Sequence, residues 1–210
     1  MPARPERKKP WYLVVALLGG LAFGVGGGCD GYRAITFYRS ANLDPASLVQ
    51  GMANDVDRAI VAKAFEAWLA AMDVAKGRVF PIGVAALLIG AAMVVFALRA
   101  MAARPGARGV LMQLVVAQAG LGIASYVLQR DVRAAEQGFH ASVIRAQAHE
   151  GVADTAEADK VARLAVATNR WLPPVYLALR TLGSILIVIA MTRPRSREFF
   201  DAASDPVSEQ

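Results

Sequence analysis

The sequence predicts an all-α integral membrane protein: a four-helix bundle of four transmembrane helices whose helical extensions form a small extracytoplasmic cap. Three observations carry that expectation. Residues 79–98 and 109–129 are apolar runs without a charged side chain, each close to the roughly 20 residues that a helix rising about 1.5 Å per residue needs to cross about 30 Å of hydrocarbon. Runs at 11–29 and 171–192 fit the same template, the latter interrupted by Arg180. The excess basic charge sits in the short segments beside these runs, and the two long connections carry apolar residues at helical spacing.

Composition points the same way. Of 210 residues, 56% are apolar and 19% charged, and the mean hydropathy is positive, which places the chain at the membrane end of the compositional range. A single cysteine, Cys29, excludes an intramolecular disulfide and any multi-cysteine zinc site.

Residues 1–10 form a basic arm, with Arg4, Arg7, Lys8 and Lys9 against Glu6. Span 11–29 carries Gly20, Gly24 and Gly28, which recur every four residues and so share one helix face. Such a face lets another backbone approach closely in lipid, so the helix is expected to have a packing partner, within the chain or in a second copy. The cluster at 26–28 is expected to fray the helix where it leaves the membrane. Val25-Gly-Gly-Gly28 ahead of Cys29 resembles a bacterial lipobox, except that Gly26 stands where that signal has Leu or Val. Cys29 is therefore a candidate lipidation site, although an uncleaved helix is the expectation here.

The segment 30–78 begins with an aromatic cluster, Tyr32, Phe37 and Tyr38 around Ile35, of the kind enriched at membrane interfaces. Asp44 and Pro45 signal a helix start. A longer helix follows from about Asp55, in which Val61, Phe65, Trp68 and Met72 form an apolar stripe, and Pro81 is expected to bend or interrupt it. Span 79–98 offers Gly83, Ala86 and Gly90 to a close neighbour. The turn 99–108 carries Arg99, Arg104 and Arg108 and no acid.

Span 109–129 offers Gly120 and Ala124 for packing. Beyond it Leu128, Val132, Ala135, Phe139, Val143 and Ala146 continue a near-heptad stripe, which predicts that the third helix projects to about His149. Asp154 and Glu157 have capping-box spacing, and a fourth helix returns through Leu164 to span 171–192. The stripes holding Phe65, Trp68, Phe139 and Val143 are expected to bury against one another or against a partner. The tail 193–210 opens with Arg193, Arg195 and Arg197. Short echoes, Leu13-Val-Val-Ala16 with Leu114-Val-Val-Ala117, and Arg78-Val-Phe-Pro81 with Arg170-Trp-Leu-Pro173, are consistent with a parallel repeat of two halves or with the general likeness of membrane hairpins.

Each long connection, 30–78 and 130–170, holds six basic and six acidic residues. By the positive-inside rule, both termini and the 99–108 turn are expected in the cytoplasm and the long connections outside. The basic balance is thus a topology signal, and no nucleic-acid partner is expected. No cofactor or metal is expected either. Glu136 and His140 stand one helical turn apart, a spacing far commoner among solvated neighbours than among metal ligands, and no phosphate loop, His-Glu-x-x-His or nucleophile elbow occurs.

Within the spans two polar residues stand out. Arg180 lies 13 residues before Arg193, about 20 Å along the axis, and Gln118 lies 10 residues after Arg108, about 15 Å. Arg180 is expected to snorkel to the headgroups, to bond Gln118 or a carbonyl, or to serve an anion. Taken together, the residues predict a multi-pass protein of a bacterial inner membrane that acts as a subunit, assembly partner or scaffold, in contact with lipid and with a protein partner or a second copy. The alternative is a small transporter or channel subunit using Arg180 and Gln118. An enzyme is not expected.

Overall fold

The computed structural model describes residues 9–39, 54–104, 106–151 and 155–204, and among them every regular element is a helix. These are α1 Trp11–Arg39, α2 Asp55–Met101, α3 Ala107–Leu128, α4 Arg130–Gly151, α5 Thr155–Thr192 and α6 Pro194–Ser204. Four of them, α1, α2, α3 and α5, are long and apolar enough to cross a membrane. The helix signals proposed at Asp44-Pro45 and Asp154, and Arg4, Arg7 and Lys8 of the basic arm, lie outside the described residues, as do the side chains of Phe37 and Tyr38.

Three local expectations are corrected. The glycine cluster does not fray α1, which runs unbroken to Arg39, because Gly27 and Gly31 are buried against neighbouring helices and that packing offsets poor helix propensity. Pro81 does not interrupt α2, a single helix of 47 residues. The carbonyl that loses its donor there belongs to Gly77, an exposed position where solvent can take it. The third helix is not continuous to His149: α3 ends at Leu128 and α4 starts at Arg130, with a turn at Gln129 spanned by bonds from Gln129 N–H to Ser125 and from Arg133 N–H to Gln129.

The helices form two compact units. Unit 1 takes α1 up to Tyr32, Gly83–Gly122 and the chain from Ala178 onward. It is a four-helix bundle whose core draws Leu13 and Leu17 from α1, Met93 from α2, Leu111 and Val115 from α3 and Met191 from α5. Its exterior is apolar as well: Val15, Leu88, Val95, Val116, Leu179 and Leu186 are all more than half exposed. A surface of this kind is suited to lipid and not to water. A sixth helix, which the sequence patterns do not announce, completes the unit. Pro194 occupies its start, where a missing N–H costs nothing, Ser196 Oγ donates to the Ala190 carbonyl at 2.8 Å, and Phe200 is buried in the core. At the same end Lys9 Nζ donates to the Met101 carbonyl at 2.6 Å and Arg108 Nε to the Met191 carbonyl at 2.9 Å. The start of α1, the α2–α3 turn and α6 are therefore tied together.

That turn stores a small strain. Arg104 N–H bonds the Arg99 carbonyl at 3.0 Å, the closing bond of a Schellman motif. Ala103 takes the left-handed conformation at φ 51°, where glycine is the usual occupant, and Gly106 supplies a second positive φ of 75°.

Unit 2 spans Arg33–Ile82 and Ile123–Leu177. Asn54 Oδ1 accepts from Val56 N–H at 2.9 Å and so caps α2. The α2 stripe Val61, Phe65, Trp68 and Met72 then buries against Val132, Phe139 and Ala146 of α4. The Trp68 and Phe139 rings stack at 5.3 Å with planes 12° apart, Phe65 lies 5.2 Å from Phe139, and Val143 packs at the edge. The two stripes read from the sequence are thus buried against one another. Buried Asp57 meets His149 Nδ1 at 3.1 Å, and Arg145 meets Asp159 at 3.5 Å, which ties α4 to α5 in antiparallel register.

Candidate functional site

Two places in the fold gather chemistry. The first is inside the span bundle of unit 1. Helical side chains tilt toward the helix N-terminus, and Arg180 of α5 thereby brings Nη1 to Asp30 of α1, donating to Oδ2 at 2.8 Å. The arginine side chain is only 12% exposed and the aspartate 47%, so the pair has one dry and one wet end. Ser184 Oγ donates to the Arg180 carbonyl and occupies the next turn.

Gln118, 4% exposed, approaches the same spot from α3. A Cβ placed on Gly27 would fall inside the Gln118 carboxamide and 2.9 Å from Arg180 Nη2, so both side chains converge on a backbone that only glycine can present. Among the described residues Gln118 Oε1 and Arg180 Nη2 are buried without a hydrogen-bond partner. The carboxamide can be turned over, which exchanges its donor and acceptor ends. Arg180 thus forms an ion pair with Asp30 beside Gln118. Sequence reasoning missed Asp30 as that partner. The available signal was the side-chain tilt, which carries the guanidinium toward the end of the bundle where Asp30 lies.

The small residues divide sharply. A Cβ on Gly24 would lie 3.0 Å from Gly90 O, Met93 Cβ and Val94 N; one on Gly90 would lie 2.5 Å from Gly28 N and 2.7 Å from Gly24 O. Gly31, which spacing alone did not single out, would meet Leu87 N at 2.5 Å and Gly83 O at 2.6 Å. Gly20 faces Leu111 of α3 at 3.8 Å, with room for a Cβ. Gly28 contributes its backbone to the contact, although its own Cβ direction is open. Gly120 is exposed and a Cβ there would meet nothing within 4 Å; Ala86 and Ala124 are half-buried. Cys29 is exposed within α1, and cleavage ahead of it would remove Leu13, Leu17 and Gly24 from the bundle. Glu136 Oε1 stands 3.7 Å from His140 Nε2, whose ring leans on Phe139. Among the described residues no three potential ligands gather as a metal site.

The second place is a half-open groove of about 1200 Å³ in unit 2, walled by α2, α4, α5 and the end of α3. Much of its lining is small residues, among them Ala64, Ala67, Ala134, Gly138 and Ala141. Every charged residue lining it is an arginine: Arg130, Arg133, Arg145, Arg163 and Arg170. Arg130 leans on its neighbour Asp131 and Arg145 on Asp159, but among the described residues no acid pairs with Arg133, Arg163 or Arg170. The Arg133 guanidinium lies 3.7 Å from the Tyr126 ring centroid, a cation–π contact that holds it in place. The neutral charge balance of 130–170 concealed this collection, because no described acid of that segment lines the groove. The spacing of Arg130 and Arg133 on one helix face was its only local signal.

Fold and sites together describe a multi-pass helical membrane protein with an ion pair inside its span bundle and an arginine-lined groove in its second unit. No protein-family model, curated protein or solved structure matches the chain.

Proposed function

We propose that this chain is a structural or interaction protein of a bacterial inner membrane, a subunit, assembly partner or scaffold of a membrane complex. Both termini and the α2–α3 turn face the cytoplasm, and the segments 30–78 and 130–170 face outward as a helical cap, a topology that the placement of basic charge supports. The observation that carries the reading is the groove of unit 2, a large half-open concave surface lined by small apolar residues and five arginines. The ion pair in unit 1 supports it independently. Arg180 and Asp30 neutralise one another, which leaves few polar groups to line a transport pathway.

The test is a photo-crosslinking residue at Ala141, in the groove lining, compared with one at exposed Lys160 of α5, outside that lining. In native membranes a discrete protein adduct is expected from Ala141 and not from Lys160. Equal or absent adducts would overturn the reading. A transporter or channel subunit is the second reading, favoured by the orphaned Gln118 Oε1 and Arg180 Nη2. Anion flux in proteoliposomes that Arg180→Leu abolishes and Arg180→Lys partly retains would establish it instead.

A further inference from the structure

The Arg145–Asp159 pair sets the antiparallel register of α4 against α5. Counted residue for residue from that pair, Arg133 lies opposite Trp171 and Ala134 opposite Arg170. Three guanidiniums of the groove, those of Arg130, Arg133 and Arg170, are therefore gathered at one of its ends. That end is where two apolar spans stop: α3 finishes at Leu128, just before Arg130, and the apolar run of α5 starts at Trp171, just after Arg170. Trp171 stands at this level and is 69% exposed, and Tyr126, about two helical turns before Arg133, receives its guanidinium.

A level at which spans end is the level of lipid headgroups, marked by Trp and Tyr. Arginines there face phosphate, and their planar fork matches its oxygens in pairs, which a lysine ammonium does not do. Unit 2 contains Lys63, Lys76 and Lys160, yet none of these lines the groove. Beyond that end the α4 side of the lining is mainly small, with Gly138 and Ala141 beside Ser142, and its remaining arginines, Arg145 and Arg163, stand apart from the cluster. The groove's volume of about 1200 Å³ exceeds the roughly 300–1,000 Å³ of ordinary small-molecule sites. The groove's densest cationic charge thus coincides with the end of the spans.

The geometry points to an acidic phospholipid held at this end of the groove, its phosphate between Arg130, Arg133 and Arg170 and its acyl chains beside the apolar spans of α3 and α5 that stop there. This rests on the reading of the groove as a binding surface. It adds that the occupant of the span end is lipid, which would shape the surface offered to a protein partner.

The purified full-length protein tests it by native mass spectrometry after exchange into phosphatidylglycerol or phosphatidylcholine micelles. The wild type is expected to retain phosphatidylglycerol selectively. Arg133→Gln and Arg170→Gln should each weaken that retention roughly fivefold, the worth of one surface arginine against acidic lipid, and the Lys variants less. A second measurement needs no variant: phosphatidylglycerol should raise the thermal midpoint of the wild-type protein, and phosphatidylcholine or inorganic phosphate should not. Retention unchanged by the Gln variants, or an equal shift with phosphatidylcholine, overturns the lipid assignment. So does an equal shift with phosphate, which would make the site one for a free anion. If protein adducts from Ala141 persist while lipid selectivity is absent, the lipid inference fails and the interaction reading stands. Selective lipid retention without any protein adduct reverses that outcome.

Discussion

Arg180 and Asp30, 150 residues apart in the chain, form a 2.8 Å ion pair that joins α5 to α1 beside the buried amide of Gln118. The pair explains how an arginine is accommodated in an otherwise apolar run, where on insertion scales it would cost about 3 kcal/mol unpaired. The two ends differ in exposure, and this asymmetry sets the first prediction.

Removing the exposed partner strands the buried one. Asp30→Asn leaves a nearly buried guanidinium without its counter-charge and should cost about 2–3 kcal/mol. Arg180→Leu leaves only a half-exposed carboxylate and should cost less. The double variant should resemble Arg180→Leu alone. Unfolding in mixed micelles across this double-mutant cycle measures the coupling, and strictly additive losses would mean that the two residues do not act as a pair.

The glycines of unit 1 should separate by contact and not by spacing. Gly90→Ala and Gly31→Ala drive a methyl to 2.5 Å from backbone nitrogen and should lose about 1–3 kcal/mol by overpacking. Gly24→Ala, at 3.0 Å, should lose less. Gly120→Ala meets open space and should gain up to about 1 kcal/mol from helix propensity. Thermal midpoints in one detergent rank all four, and a destabilised Gly120→Ala would reveal a contact made with another chain.

In unit 2 the stack of Trp68 on Phe139 joins α2 to α4. Each truncation to Ala should cost about 3–5 kcal/mol, with a coupling of about 0.5–1.5 kcal/mol between the rings. The near-ultraviolet signal of the buried Trp68 provides the readout. Loss of that signal in Phe139→Ala is expected, and its persistence would count against the stack.

Ala103→Gly should stabilise the protein. An L-residue at φ 51° carries about 1 kcal/mol that glycine does not, offset in part by the greater freedom of glycine in the unfolded chain. A lower thermal midpoint in Ala103→Gly would show that the strain is not relieved there.

Orientation is measured with two thiols, one at each end of the span bundle. Ala102 is exposed in the α2–α3 turn, and Ala102→Cys in a Cys29→Ser background places a single reactive group there. Cys29 of the natural chain probes the opposite end of α1. An impermeant maleimide applied outside is expected to label the natural chain and to leave the Ala102→Cys, Cys29→Ser variant unmodified. Labelling of that variant from outside would reverse the proposed topology.

What the residues disclosed on their own is the part written in local patterns. Apolar run length against bilayer thickness identified the four spans. Spacing along a helix identified the Phe65–Trp68 and Phe139–Val143 stripes, and the recurrence at Gly20, Gly24 and Gly28 marked α1 as closely packed. Local propensity misled at Gly26–Gly28 and Pro81, where packing and exposed position overrode it. The tertiary structure alone decided which groups meet: that Arg180 finds Asp30, that Gly24 and Gly31 touch α2 while a Cβ on Gly120 would meet nothing among the described residues, that α6 folds onto the bundle, and that arginines in a neutral segment line one groove. The reason is geometric. Each helical residue turns its side chain by about 100° and advances it by about 1.5 Å, so a contact between two helices depends on the rotation and depth of both, quantities fixed by the packing of the whole unit and carried by no local stretch of sequence.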